Sequence, residues 1–381
     1  MRFFYADPGL HGLTGHHANV CRSIVDQLAA RAIPSRVLAF AGVEPPLRKT
    51  LNAVPFFRHN QYWNSHPDPV SAFHSGAQMM REDLHQSDAA PDDVVFIPWG
   101  LPAQLYGVLQ WMGEIPAHRL PRVIFNFLDV PQAGHDQTAA VLRFAGSHVR
   151  NGFARRLRLG CTFAEGVASL SPVLSLNVEQ LPAPQHAFSP HRRRSADGPV
   201  TIGIIGHQQS GKGVRHILDL VRGILQSHPA ASMVIHDSAN DLPLDIAQAL
   251  SSLSASDRRI VFQKRALDLG GWANLLDRID LLLCPYSREQ YRLCSSGVHN
   301  EAIANAIPSI VPSGTTLASQ RALFGEGTFA FGDGEPASII DAARTVLANF
   351  AHHANEAERG ALLWSQVNGP ARLVDRLLDG R

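Results

Sequence analysis

The feature that most constrains the fold of this chain is a repeated alternation of short apolar runs with amphipathic helical stretches. In the first half, the apolar runs that indicate strands are Phe3–Ala6, Arg36–Ala39, Val94–Pro98, Val123–Leu128 and Leu157–Thr162. The helical patterns between them are Ala18–Arg31, Ala72–Leu84, Ala103–Met112 and Thr138–Phe144. Such alternation predicts βαβ units and a mainly parallel sheet. The tract Ala41–Asp68 has no clear period, and we expect a long loop there.

The same alternation resumes near residue 200. The strands expected there are Val200–Ile205, Ser232–His236, Arg259–Gln263, Asp280–Cys284, Ser309–Val311 and Thr328–Phe331. The expected helices are Val214–Gln226, Leu244–Leu253, Trp272–Arg278, Val298–Asn305, Leu317–Phe324, Pro336–Phe350 and Glu358–Leu378, the last interrupted near Gly369. The sequence therefore predicts an α/β protein with two doubly wound, Rossmann-like domains that face a central cleft.

A change of composition separates the two halves. Pro, charged and small polar residues dominate residues 181–200, and the run Arg192-Arg193-Arg194 within it is typical of a solvated linker. We therefore predict one domain over residues 1–190 and a second over residues 198–368.

Charge and composition exclude several classes of protein. The 381 residues carry 34 basic and 33 acidic side chains, so the chain lacks the charge imbalance of proteins that bind nucleic acids or anionic membranes. No apolar run approaches 18 residues, so no transmembrane segment is expected, and Met1–Asp7 does not resemble a signal peptide. The cysteines lack CxxC or zinc-ligand spacing, which favours buried free thiols and a cytoplasmic location: Cys21, Cys161, Cys284 and Cys294.

A glycine-rich loop, Gly206–Gly213, follows a predicted strand and precedes a predicted helix. Glycines let the backbone approach a ligand, and a helix N-terminus offers N–H groups to an anion. Lys212 is one of only three lysines in the chain and predicts a phosphate site. The loop nearly fits GxxxxGK[ST], but Gly213 replaces the hydroxyl residue that would hold magnesium. A P-loop kinase or ATPase and a glycine turn without a ligand are the alternatives here.

A second candidate segment spans Asp280–Val311 and is predicted to form a strand, a polar loop and a helix. Ser295, Ser296 and Gly297 stand where the helix begins, with backbone amides available to a phosphate. Glu301 lies one turn further, where its carboxylate can accept two hydrogen bonds from the vicinal hydroxyls of a ribose. The alternative for Glu301 is an acid favoured by the helix dipole.

Together these two segments resemble the donor-binding domain of the GT-B glycosyltransferases, most closely the retaining family-4 type. The positions that match the family pattern are Gly206, Lys212-Gly213, Pro285, Ser287, Gly297, Glu301-Ala302, Ala304 and Pro308. The resemblance implies a bacterial-type, hexosyl-type transferase that moves a sugar, with retention, from a nucleotide-diphosphate sugar to an acceptor. The acceptor could be a glycan, a lipid-linked glycan, a protein or a small molecule, and no cofactor is expected.

The family's functional residues carry over position by position. The resemblance makes Lys212 the catalytic cation that neutralises the diphosphate, a role that would remove the need for a metal. The resemblance also implies that the backbone amides near Gly297 bind the same diphosphate and that Glu301 binds the nucleotide ribose. The full set of donor-binding residues expected is Gly15, His16, Gly206, Lys212, Gly213, Glu289, Tyr291, Ser296, Gly297, Val298 and Glu301.

The sequence departs from the family pattern at the diphosphate and the sugar. His207 replaces the usual arginine after the first glycine. The family's earlier glutamate falls at Leu293 when counted back from the helix, and at Glu289 when counted from the strand. The loop side chains that could either cover the donor or pack elsewhere are Tyr286, Tyr291 and Arg292.

In the first domain, the loop Asp7–His17 contains three glycines and follows strand one. The resemblance implies that this is the acceptor-side domain and that the loop faces the donor phosphates and the acceptor. It also implies that the helix at 369–381 packs on this domain. Candidates to hydrogen-bond a sugar or phosphate are His11, His16 and His17, but they show neither an acidic partner nor metal-site spacing, so no metal is expected. Asp129 and His135 are candidate catalytic residues, since the family often has a histidine-aspartate pair after this strand.

The reaction remains open even if the fold is GT-B, because fold does not determine function. Nucleotide-sugar epimerases and phosphorylases share this architecture. The missing family residues also leave open a non-catalytic binding protein.

Overall fold

The computed structural model describes residues 1–13, 15–60, 68–127, 130, 142–143, 147, 155–188, 198–332 and 334–379. The chain divides into two compact units, one of Met1–Pro184 with Pro370–Arg381 and one of Gln185–Gly369. Both units are α/β with parallel sheets, so the predicted fold class is confirmed. None of the helices in the described ranges combines the length and the apolar composition needed to cross a membrane.

Seven strands form the sheet of the first unit within the described residues, in the order β3-β2-β1-β4-β5-β6-β7. The strands are β1 (Phe3–Asp7), β2 (Ser35–Phe40), β3 (Ala53–Phe57), β4 (Val94–Gly100), β5 (Arg122–Phe127), β6 (Leu157–Cys161) and β7 (Val178–Gln180). The helices are α1 (Gly15–Ala30), α2 (Pro45–Leu51), α3 (Pro69–Leu84), α4 (Pro102–Glu114) and α5 (Ala164–Leu174). All strand pairs are parallel, which explains why β1 and β4 are buried along their whole length and are apolar except for Asp7 at the end of β1.

The second unit has six parallel strands in the part that the structure describes, in the order β10-β9-β8-β11-β12-β13. The strands are β8 (Thr201–Ile204), β9 (Ser232–Asp237), β10 (Ile260–Lys264), β11 (Leu281–Leu283), β12 (Ser309–Pro312) and β13 (Thr328–Phe331). The helices are α6 (Ile217–Ser227), α7 (Leu244–Ser256), α8 (Leu269–Arg278), α9 (Gly297–Ala304), α10 (Thr316–Phe324), α11 (Pro336–Ala348) and α12 (Phe350–Val367). The central strands β8 and β11 are adjacent, so the two loops that follow them start at the same edge of the sheet.

The last helix, α13 (Pro370–Leu378), belongs to the first unit. Its residues Leu373, Val374 and Leu377 are buried in the same core as α1 and β1, each contributing about 1.5–3 kcal/mol by burial. Gly369, with φ of +98°, allows the chain to turn between α12 and α13. The interruption predicted near Gly369 is therefore confirmed.

The start of the second unit lies a few residues earlier than the predicted end of the first domain at residue 190. The backbone N–H of Phe188 donates to Oδ1 of Asn305 at 2.5 Å. The side-chain amide of Asn300 donates to Oε1 of Gln185 at 3.4 Å. These bonds attach residues 185–188 to α9, an attachment that composition alone cannot show.

The long loop predicted over Ala41–Asp68 is wrong in its first part, where the structure has α2 and β3. Two prolines begin α2, where the missing N–H groups cost nothing. Pro55 lies within β3, which is tolerated because β3 is an edge strand. Neither α5 nor β7 was predicted from the sequence, and the helix predicted over Thr138–Phe144 falls largely outside the described residues.

Three of the four cysteines, Cys21, Cys161 and Cys284, are buried free thiols, and Cys294 is half-buried. Burial raises the pKa of the Cys284 thiol to about 12. The interpretation of the cysteines as core residues is confirmed for the three buried ones.

Candidate functional site

The glycine-rich loop begins at the carboxyl end of β8 and contacts the first turn of α9. Gly206 has φ of +102°, and a Cβ atom built there would lie 3.0 Å from Cγ2 of Val298 and 3.7 Å from Nζ of Lys212. A glycine is therefore required by the backbone angle, and a side chain would crowd the helix. The loop brings Gly206, Lys212 and Val298 together, as the predicted phosphate site requires.

The same loop packs backbone to backbone on the loop after β11. The N–H of Ser287 donates to the carbonyl of Gly211 at 2.7 Å. Gly213 has φ of +70°, and a Cβ atom there would lie 1.9 Å from the carbonyl oxygen of Pro285. No Ser or Thr fits at this position, so the geometry argues against the P-loop alternative, which needs a hydroxyl there.

Lys212 places a cation in this junction, and no carboxylate among the described residues pairs with it. Its side chain is half-buried and forms no ion pair with any described residue. Its Nζ lies 5.3 Å from the ring centroid of Tyr286, a contact that attracts a cation to the face of the ring. Burial lowers the pKa of Lys212, and the thiols of Cys284 and Cys294 oppose that shift. An ammonium that is partly dehydrated and unpaired is well suited to receive an anion.

The N-terminus of α9 adds backbone donors beside this lysine. Ser296 is the N-cap, and its side chain accepts from the N–H of His299 at 3.2 Å. Gly297 and Val298 occupy the first turn, where N–H groups have no acceptor within the helix. Because the positive end of the helix dipole lies here as well, the first turn of α9 favours an anion.

Glu301 lies one turn further along α9 and is tied to a tryptophan that the sequence analysis did not select. Nε1 of Trp272, on α8, donates to Oε2 of Glu301 at 2.8 Å. Burial raises the pKa of Glu301 to about 7, and the indole hydrogen bond opposes that rise. The carboxyl group therefore changes charge near neutral pH.

The remaining predicted residues of this unit are distributed between surface and core. His207 is exposed and pairs with Asp241 at 2.6 Å, so it does not replace the absent arginine beside Lys212. Glu289 is exposed, whereas Leu293 is half-buried. Tyr291 is buried with its ring centroid 4.5 Å from that of Tyr286, so both tyrosines pack in the interior of the unit.

In the first unit, the loop after β1 contains an Asp–His pair. Nδ1 of His17 lies 2.7 Å from Oδ2 of Asp7. Asp7 is fully buried, and its Oδ1 accepts from the N–H of Gly9 at 2.9 Å. His16 is exposed, with its ring centroid 5.1 Å from that of Trp99. Gly15 begins α1 with φ of +84°. No acidic partner was predicted for these histidines, but the structure places Asp7 beside His17.

Two predicted catalytic residues, Asp129 and His135, lie outside the described residues. Among the described residues, no group of three or more His, Cys, Asp or Glu side chains is arranged to hold a metal ion.

Comparison with protein-family models gives no match, and comparison with curated proteins gives none either. Solved structures match over almost the whole chain. HepE of Anabaena in complex with UDP is 13% identical, with a TM-score of 0.65 over 99% of this chain and 98% of that one. The α,α-trehalose 6-phosphate synthase of Burkholderia multivorans is 11% identical, with a TM-score of 0.67 over 99% and 97%. A glycosyltransferase of Rickettsia africae is 11% identical, with a TM-score of 0.64 over 100% and 99%.

These similarities establish the class of fold. The chain has the GT-B fold, with two Rossmann-like domains, as the resemblance of its two motif segments implied. At 11–13% identity the similarity concerns the fold, so the activity has to be argued from the side chains themselves.

Proposed function

We propose that the chain is a glycosyltransferase whose second unit binds the diphosphate and ribose of a nucleotide sugar. The observation that carries this proposal is the ammonium of Lys212, which lies beside Gly206 and forms no ion pair with any residue that the structure describes. Glu301 lies on the same helix, one turn beyond the amides of that first turn. Together these groups match the charge and hydroxyl pattern of a nucleoside diphosphate.

The proposed reaction transfers a hexosyl group with retention and without a metal. The bond between the anomeric carbon and the diphosphate oxygen breaks, and a bond from that carbon to the acceptor oxygen forms. The acceptor's proton passes to the departing diphosphate on the same face. Lys212 and the N-terminus of α9 stabilise the charge that develops on this leaving group.

The comparisons support a uridine nucleotide as the first probe, since the HepE structure contains UDP. On this proposal the acceptor is a glycan, a lipid-linked glycan, a protein or a small molecule. The buried free thiols fit an enzyme of the reducing cytoplasm.

A thermal-shift comparison of UDP, GDP, ADP and dTDP, each with and without EDTA, tests the proposal. A diphosphate at 100 times its Kd stabilises the native protein by about 2.7 kcal/mol, so the Tm should rise by several degrees for at least one. EDTA should not change that rise. Product analysis with and without added acceptor then separates transfer from epimerisation. If none of the four raises the Tm, the proposed function is wrong.

The charge of Glu301 predicts a pH dependence that does not require the substrate. Because its folded pKa of about 7 lies above the ordinary 4.5, its contribution to stability is fully present below pH 4.5 and is lost as pH rises through 7. Gln retains an oxygen for the Trp272 indole but has no charge. We therefore expect Glu301→Gln to match the wild type at pH 4 and to exceed it by up to about 3 kcal/mol at pH 8.

Urea unfolding across this pH range measures that difference, with Glu289→Gln as the control because Glu289 is exposed. Parallel stability curves for wild type and Glu301→Gln would show that Glu301 ionises normally. The same variant should bind the selected diphosphate about tenfold more weakly at pH 8, since an amide oxygen accepts ribose hydroxyls less strongly than a carboxylate.

A further inference from the structure

We propose that Trp272 is the positioning residue of the ribose subsite: its indole N–H holds Oε2 of Glu301 and leaves Oε1 for the ribose hydroxyls. This inference rests on the proposed function and adds to it a residue outside both motif segments. The terminal torsion of a glutamate is broad, so a free carboxylate samples many orientations. A hydrogen bond of 2.8 Å to one oxygen restricts that torsion and aims the other oxygen.

The two oxygens of Glu301 differ in their surroundings. Oε2 accepts from the indole, whereas Oε1 accepts no hydrogen bond from any residue that the structure describes. An indole has one N–H, and it is committed here, so Trp272 cannot also donate to a ligand. The oxygen that remains available for two vicinal hydroxyls is therefore Oε1.

Trp272 is itself held in place by its neighbours. It is 9% exposed, and its ring centroid lies 5.8 Å from that of the fully buried His236. Nε2 of His236 lies 2.7 Å from the carbonyl of Arg265, and the N–H of Gly206 points at Nδ1 at 3.4 Å. A neutral ring with its proton on Nε2 satisfies both contacts.

This arrangement joins the two halves of the candidate site. Gly206 belongs to the diphosphate loop and Glu301 to the ribose side, and His236 with Trp272 connects them. His236, which packs against the indole, is neutral because burial lowers its pKa, and burial lowers the pKa of His299 on α9 to about 3 as well. Charge at the ribose subsite therefore comes from Glu301.

The test compares UDP with 2′,3′-dideoxy-UDP, which lacks both ribose hydroxyls, by calorimetry at pH 8. If the thermal-shift comparison shows binding of a different base, the diphosphate of that base and its 2′,3′-dideoxy analogue are used instead. Trp272→Phe keeps an aromatic ring and removes the N–H. Trp364→Phe is the matched control, because Trp364 is a buried tryptophan of the same unit whose Nε1 has no hydrogen-bond partner in the described part of the chain.

We expect the wild type and Trp364→Phe to prefer UDP over its dideoxy analogue about tenfold, the equivalent of one to two well-placed hydrogen bonds. In Trp272→Phe the preference should shrink to about twofold, while affinity for the dideoxy analogue stays as in the wild type. The preference for UDP should be lost as the pH falls and Glu301 becomes protonated. The pH of this loss should be higher in Trp272→Phe than in the wild type, because removal of the indole N–H raises the pKa of the Glu301 carboxyl group.

The inference would be overturned if Trp272→Phe kept the wild-type preference for UDP over the dideoxy analogue, or if its affinity for both ligands fell equally. Either result would leave the proposed function intact. Failure of the wild type to bind any diphosphate would instead overturn the proposed function and this inference with it. If Trp272→Phe does not fold, benzothienylalanine at position 272 keeps the bicyclic shape without the N–H and gives the same comparison.

Discussion

Replacement of Lys212 by methionine is expected to lower the rate of sugar transfer by about two to three orders of magnitude, the usual effect of removing one preorganised charge from a leaving group. Methionine keeps most of the side-chain length and loses the ammonium. The free protein should remain as stable or become more stable, because burial already disfavours the charged form, as the lowered pKa of Lys212 shows. Few substitutions at a structural position would combine these two effects.

Two measurements establish this result: steady-state transfer from the nucleotide sugar, and urea unfolding of the free protein. Lys264→Met is the matched control, since Lys264 is an exposed lysine of the same unit that packs over Phe262. The ammonium of Lys212 would have no catalytic role if transfer by Lys212→Met stayed within a few-fold of the wild type. A large loss of stability would assign Lys212 to the fold instead.

The second large effect is expected at Gly213, where alanine should destabilise the second unit by about 3 kcal/mol. A Cβ atom there lies 1.9 Å from the oxygen and 2.9 Å from the carbon of the Pro285 carbonyl. A backbone carbonyl cannot rotate away as a side chain can. The φ of +70° adds the cost of a left-handed conformation for alanine. Relief of the clash must displace the loop after β11, and nucleotide binding should fall with stability.

Gly211→Ala supplies the comparison, because a Cβ atom there meets the amide end of Gln290 instead of backbone. That exposed side chain can move, so we expect a loss below about 1 kcal/mol. Urea unfolding of both variants, with nucleotide affinity measured alongside, distinguishes the two cases. Equal losses in the two variants would mean that the contact with Pro285 does not determine the loop.

Much of the fold could be predicted because local patterns encode it. Fully buried parallel strands such as β4 must be apolar over several residues, and the helices between them must carry one apolar face. The edge strand β3 escaped prediction because Pro55 and a half-exposed surface weaken the pattern. The glycine-rich loop was recognisable because Gly206 and Gly213 need positive φ angles and Lys212 stands between them.

The packing of individual side chains was harder to predict. Tyr291 was a candidate to cover the donor, and the structure buries it beside Tyr286. The loop after β11 sets two tyrosines among polar and charged residues, so composition does not tell which side chains turn inward. His17 was predicted without an acidic partner, although Asp7 stands ten residues before it.

The sequence by itself determined the alternation of strands and helices, the two-unit organisation and the two motif segments, because each depends on periodicity or on residue types that lie close together in the chain. Only the tertiary structure decided that Trp272 holds Glu301 and that Lys212 has no carboxylate partner among the described residues. Trp272 and Glu301 are separated by strand β11 and a long loop. Their contact depends on how α8 and α9 pack against the sheet, and that packing is a property of the whole unit.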